Sequence, residues 1–369
     1  MHVARLNAQT LNAVLVVNNF LFFKVCFYFF IGGKMKKGLF ALSILTLMGF
    51  ATTVQAKQKV CVFDLLGKAG ETFGVTQEWA VTAKNWQAEI QLIPYQDEAK
   101  AQKDFESGIC DGVYMTSMRA RKYNRFAGSI DAIGGVTSND VAQKAISFAL
   151  DKRNKHRLLA KVDDQNYEVA GILQFGLAYV FVQDKNLNTI EKAKGKKFAY
   201  LHYDIAQKAV VDSLQMISVP SEISDFVKKF NSKQVDVIAA PAYAYKPLEI
   251  EKGIAKSGAM FTFPVVNITG DLIIRPEKFP VNFGLKSREW FVKQLPKSFT
   301  MVKRLEDSIP AKYKLSLGKE NEVRYQRILR DERINLTKQG VYDPIMMSVL
   351  KRARCTVERT NFECSLGGE

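Results

Sequence analysis

Four cations, Arg119, Arg121, Lys122 and Arg125, crowd into one short stretch that directly follows the apolar run ending at Thr116. Guanidinium groups in such a place suit a carboxylate or phosphate. Arg119, nearest the run, is the one placed to face a ligand; the alternative is a solvated basic helix face. Asp64 and Thr116 stand at the ends of apolar runs, where a polar side chain can either orient a ligand or, for Asp64, cap the following turn. Gln174, Tyr203, Tyr243 and Asn267 complete a candidate ligand set of hydrogen-bonding and aromatic groups, with half-buried packing as the alternative role for the two tyrosines. These residue types point to binding rather than bond-making. Residues 57–369 hold no Gly-x-Ser-x-Gly elbow, no His-Glu-x-x-His and no phosphate loop. No histidine or cysteine has metal-ligand spacing to another. Neither an enzyme nor a cofactor or metal is expected.

Of the five cysteines, the four in residues 57–369, Cys61, Cys110, Cys355 and Cys364, are an even set, which in an oxidising compartment suggests disulfides. Four cysteines allow three connectivities. Cys355 and Cys364 are close in a polar tail and can staple it, leaving Cys61 to pair with Cys110. The alternative for Cys61 and Cys110 is two small buried core residues.

The elements that must position these groups alternate. Lys59–Leu66 reads as a buried strand, 71–86 as a helix, Glu89–Tyr95 as a second strand, Asp97–Glu106 as a capped helix, and Gly108–Thr116 as a turn and third strand. That order specifies an α/β unit with a parallel sheet, whose ligands sit at the carboxyl ends of the strands. A second such unit follows. Leu177–Val182, the run ending at His202, and Val235–Ala240 read as strands. Asp204–Met216 and Pro220–Phe230 read as helices, and Phe261–Ile274 as strand-like runs split at Asn267–Asp271. From Ser287 onward the chain reads as mainly helical.

Met35-Lys36-Lys37, an uncharged apolar run to Phe50 and Val54-Gln55-Ala56 form a secretory leader over 35–56, with cleavage near Ala56 and a periplasmic destination. Residues 1–34 read as an extension produced by a start site placed too early. The net charge of +16 falls to +11 without Arg5, Lys24, Lys34, Lys36 and Lys37, since residues 1–56 carry no acid. A charge of that sign favours an anionic partner. Nucleic acid is not expected outside the cytoplasm.

Leader, α/β lobe, second α/β lobe and helical tail, in that order, resemble extracytoplasmic solute-binding proteins of the type II periplasmic-binding fold. Those serving tripartite ATP-independent (TRAP) transporters are the nearest likeness. The resemblance rests on Thr189–Phe198 (TIEKAKGKKF), Phe226–Pro241 (FVKKFNSKQVDVIAAP) and Phe105–Tyr114 (FESGICDGVY). It implies an α/β chain of two lobes, 57–170 and 171–285, with a mainly helical C-terminal segment, 286–369, packed on them. A small molecule would be held in the interlobe cleft and passed to an inner-membrane permease. One departure matters: where many carboxylate-binding members carry an arginine, this chain has Phe198-Ala199-Tyr200, and Arg275 is the next candidate. The chain also resembles AdeT-type envelope proteins labelled as components of resistance–nodulation–division (RND) efflux, which implies a soluble accessory of an efflux pump. A third expectation is a structural protein whose basic face binds an anionic envelope surface.

Overall fold

Apolar, β-branched runs separated by amphipathic helices build the first half of the sheet. In the computed structural model, which describes residues 57–369, β1 is Gln58–Phe63, α1 Glu71–Ala83, β2 Ile90–Tyr95, α2 Glu98–Glu106 and β3 Gly112–Thr116. β1 lies between β2 and β3 and is parallel to both, as the strand–helix–strand order requires. The Asp97 carboxylate accepts the Lys100 N–H at 3.1 Å and caps α2. The leader expected at 35–56 and the extension at 1–34 lie outside the described residues.

The chain continues through α3 (Asn139–Ala149), β4 (Leu159–Val162) and β5 (Gln165–Val182). Then come β6 (Lys197–Leu201), α4 (Ile205–Ser213), β7 (Ile217–Ser221), α5 (Phe226–Asn231), β8 (Val237–Pro241) and β9 (Ala259–Ile274). It ends with α6 (Phe283–Asp307), β10 (Lys314–Leu315), α7 (Lys319–Lys338) and α8 (Pro344–Val357). The strands form one sheet in the order β2-β1-β3-β9-β5-β8-β6-β7, with β4 on β5 and β10 on β9. One end of it, β2-β1-β3, belongs to the first lobe, and the other, β8-β6-β7, to the second. β5 and β9 run antiparallel to one another through both lobes. Register shifts interrupt their ladder between Val169 and Gly171, Gln174 and Gly176, Ala178 and Tyr179, and Tyr179 and Phe181. Gly176 has φ +124°, a backbone that only glycine adopts readily, and so permits one of these bulges.

Two expectations are corrected. Asn267–Asp271 does not split β9; it is buried strand, where Thr269 Oγ1 donates to Asp271 at 2.8 Å and Asn267 Oδ1 accepts from Gln174 Nε2 at 2.7 Å. Pro220 does not start a helix but lies in β7. β7 is an edge strand bonded only to β6, where a missing N–H is tolerated.

The cysteines form Cys61–Cys110, which ties β1 to the loop before β3, and Cys355–Cys364, which closes the tail of α8. The tail is held by buried charge. Arg333 and Arg354, respectively 1% and 0% exposed, pair with Glu363 and Glu369 and donate to the carbonyls of Ile133 (2.7 Å) and Gly135 (2.8 Å). Arg275 is also consumed by structure: it lies over the Phe105 ring and donates to the carbonyls of Cys110 and Phe105, both at 2.7 Å. Among the described residues no helix is long and apolar enough to cross a membrane.

Candidate ligand-binding cleft

Parallel strands end their side-chain display at their carboxyl termini, and here the ends of both lobes' strands converge. Phe63 at the end of β1 with Leu65 beyond it, and Thr116 at the end of β3 with Met118 beyond it, face Leu201 at the end of β6 and Tyr243 beyond β8 across a cavity of about 80 Å³. Phe175 and Ala178 of β5, with Val266 and Ile268 of β9, form its floor. The lining carries no charged side chain.

A polar clasp closes the cleft rim. Arg119 donates from Nε to Glu98 (2.9 Å) and from Nη1 to Gln102 (2.8 Å) in its own lobe, and from Nη2 to Glu222 (2.6 Å) of the other. Its guanidinium lies 3.7 Å from the Tyr203 ring centroid, and the Tyr203 hydroxyl donates to Glu98 at 3.3 Å. Glu98 also accepts the Thr116 N–H at 2.7 Å. Burial pushes the Glu98 carboxyl up, and the Arg119 charge beside it pulls back without cancelling that effect. A second crossing pair sits beside the first: Arg121 binds Asp131 in its own lobe and Asp204, 3.4 Å away, at the start of α4. Burial holds Asp131 up at about 6, opposed by Arg121.

Asp64 works at the base of the cleft. Its oxygens accept the Leu66 and Phe73 N–H groups at 2.8 and 3.1 Å, and so fix the turn into α1. The Asp64 carboxylate occupies the space a Cβ on Gly70 would fill, 1.8 Å away, so position 70 must be glycine. The Tyr243 hydroxyl reaches across the lobes to accept the Leu65 N–H at 3.2 Å. Burial and the Asp64 charge hold that hydroxyl neutral. The Tyr243 ring stacks on Phe175, centroids 5.3 Å apart and planes 11° apart.

The structure thus brings Thr116 and Tyr243 into the cavity lining, Arg119 and Tyr203 into the clasp, and Asp64 against the Tyr243 hydroxyl. Gln174 and Asn267 lie elsewhere. Gln174 Nε2 donates to Asn267 Oδ1 at 2.7 Å inside the sheet, and Gln174 lines a separate cavity with Tyr114, Glu71 and Lys297.

The profile of the solute-binding protein AdeT 1/2 family matches residues 25–369. The Acinetobacter baumannii "Probable solute-binding protein AdeT1" is 38% identical over 84% of this chain and all of its own length. The chain belongs to the AdeT 1/2 solute-binding protein family. The A. baumannii "Probable solute-binding protein AdeT2" is 25% identical over 65% of this chain and 99% of its own. Among solved structures, a TRAP periplasmic solute-binding protein from Desulfovibrio salexigens with bound orotic acid superposes with TM-score 0.66. It is 10% identical and aligns over 82% of this chain and 99% of that one. One from Haemophilus influenzae with bound L-gulonate gives 0.65, at 12% identity, over 80% and 99%. The AdeT 1/2 chain therefore has the two-lobed TRAP-type fold.

In this AdeT 1/2 member, sequence reasoning missed Met118, Phe175, Gln207 and Phe226 in the lining and Glu98 and Glu222 in the clasp. Glu98 resembles an ordinary first-turn acid of α2, and only its burial, at 2% exposure, reveals its other task. Phe175 lies in β5 just before Leu177–Val182, the part whose composition reads as strand.

Proposed function

We propose that this protein is a periplasmic solute receptor. It captures a small molecule between its lobes and hands it to an inner-membrane transporter, without chemistry and without a cofactor. The observation that carries the reading is the pairing of a cavity lined from both lobes with a clasp that joins them: Arg119 bonds Glu98 on one side and Glu222 on the other. A ligand that fills such a cavity favours the closed state by its differential contacts, which is the physical basis of hinge closure. The bodies of this motion would be the β1–β3 end and the β6–β8 end of the sheet with their helices, joined by β5 and β9, which cross the boundary expected at 170/171. Two disulfides accord with an oxidising compartment reached through the 35–56 leader.

Binding is tested on protein purified from the periplasm, by calorimetry and thermal shift. A ligand at a hundred times its Kd adds about 2.7 kcal/mol. Tyr203→Ala and Tyr243→Ala are expected to weaken binding at least tenfold. Unchanged affinity in both removes these tyrosines from the site. Failure of every small molecule, with salt-sensitive binding to anionic vesicles, returns the envelope-surface alternative. Binding confined to antibiotics returns the efflux accessory.

A further inference from the structure

The cleft cavity does not end at its floor. A second cavity of about 80 Å³ lies deeper in the second lobe and reaches Tyr325 and Leu329 of α7. Gln207, Ala239 and Val266 line both, so the two are compartments of one tract. The tract follows one sheet face: Ala178, Val180 and Val182 of β5 alternate along it, as do Val237, Ala239 and Pro241 of β8. From Pro241 to Val237 it covers about 13 Å of extended strand. At ~1.2 Å per extended bond this accommodates about ten carbons.

No charged side chain lines either compartment. The nearest cations at the rim are already answered: Arg119 by Glu98 and Glu222, Arg121 by Asp131 and Asp204. A ligand carboxylate inside would be desolvated without a counter-charge, which is strongly unfavourable. One amide donor is under-used. Gln207, at the junction, accepts the Leu201 N–H through Oε1 (3.1 Å), while its Nε2 reaches only the Met118 thioether at 3.4 Å, a weak acceptor.

Resting on the receptor reading, we infer that the solute is a neutral, elongated, mainly apolar molecule. Its chain runs down the tract, and its one polar group accepts from Gln207. This differs in chemistry from the orotic acid and L-gulonate carried by the solved TRAP proteins.

Calorimetry with the wild-type protein against 1-alkanols from pentanol to nonanol, the alkanoates of equal length, orotate and gulonate decides it. Each added methylene is expected to tighten alkanol binding about fourfold. Each alkanol is expected to bind at least tenfold tighter than its alkanoate. Val210→Phe fills the inner compartment alone; it is expected to flatten the profile for the longer alkanols while leaving pentanol within twofold. If that variant does not fold, the wild-type series still decides. Affinity independent of chain length, or alkanoates equal to alkanols, overturns the inference. Binding of orotate or gulonate alone overturns it and leaves the receptor reading standing. Binding of nothing in the panel overturns the inference, and the receptor reading falls with it only if the protein also shows salt-sensitive binding to anionic vesicles.

Discussion

Replacing Arg119 by methionine keeps much of the side-chain length but leaves Glu98 buried beside no cation. Glu98 is 2% exposed and would retain only the Thr116 N–H and Tyr203 hydroxyl as partners. Breaking a buried pair from one side costs about 3–5 kcal/mol. The carboxyl can limit that cost by taking a proton, and at pH 7 this costs about 1.4 kcal/mol for each unit above an unfolded value near 4.3, or roughly 3–4 kcal/mol. The folded variant then binds one proton more than its unfolded chain, so its stability falls as pH rises, by about 1.4 kcal/mol per unit between pH 5 and 7. Urea melts of Arg119→Met and wild type across that range are expected to differ by about 3 kcal/mol at pH 7 and about 1 kcal/mol at pH 5. Adding Glu98→Gln should flatten the dependence and recover most of the loss at pH 7. A difference that does not change with pH, or a double variant no better than the single one, refutes the buried-charge account of the clasp.

Burial holds Asp271 at about 7, so its folded-state proton is lost over a range in which the unfolded chain is already ionised. The Asp271 contribution to stability should therefore decline from about pH 4 to pH 7. Asp271→Asn should be more stable at pH 8 by on the order of 3 kcal/mol and nearly equal at pH 4, read by thermal melts. A Cβ on Gly270 would lie 2.3 Å from the Tyr114 hydroxyl oxygen and 2.6 Å from the Phe175 ring. Gly270→Ala is expected to cost about 1–3 kcal/mol and to weaken ligand binding by displacing Phe175 from Tyr243, with calorimetry as the check. Removing the Cys61–Cys110 bridge, which spans 49 residues, should cost about 4 kcal/mol. Removing Cys355–Cys364, which spans 9, should cost about 2–3 kcal/mol, as denaturant midpoints of the Cys→Ala pairs would report.

The parallel unit from β1 to β3 was legible because its runs are short, apolar and bounded by glycines and a good cap at Asp97. β5 and β9 were legible only in part. Their central residues, Gln174, Asn267, Thr269 and Asp271, are polar, and a periodicity argument reads such residues as loop. Inside the sheet Gln174 bonds Asn267 across the two strands, and Thr269 bonds Asp271 within β9. The strand-end rule placed Asp64, Thr116 and Arg119 beside the cleft, since topology fixes where parallel strands finish, while Asp64 takes its alternative role of capping the turn. It could not find Glu98, Gln207 or Glu222, whose roles depend on how one lobe meets the other. Pro220 misled for a related reason: proline is uncommon within paired strands, and nothing local marks β7 as an edge.

Because β5 and β9 pass unbroken from one lobe to the other, opening cannot be a swing about slack connectors. It must be stored as torsion in two hydrogen-bonded ribbons, concentrated where their ladder is already irregular, between Val169 and Phe181. Those ribbons act as a spring whose resting angle is set by the bulges. A substitution such as Gly176→Val, whose Cβ would meet Val302 of α6 and strain the bulge between the floor residues Phe175 and Ala178, would then retune how readily the receptor opens.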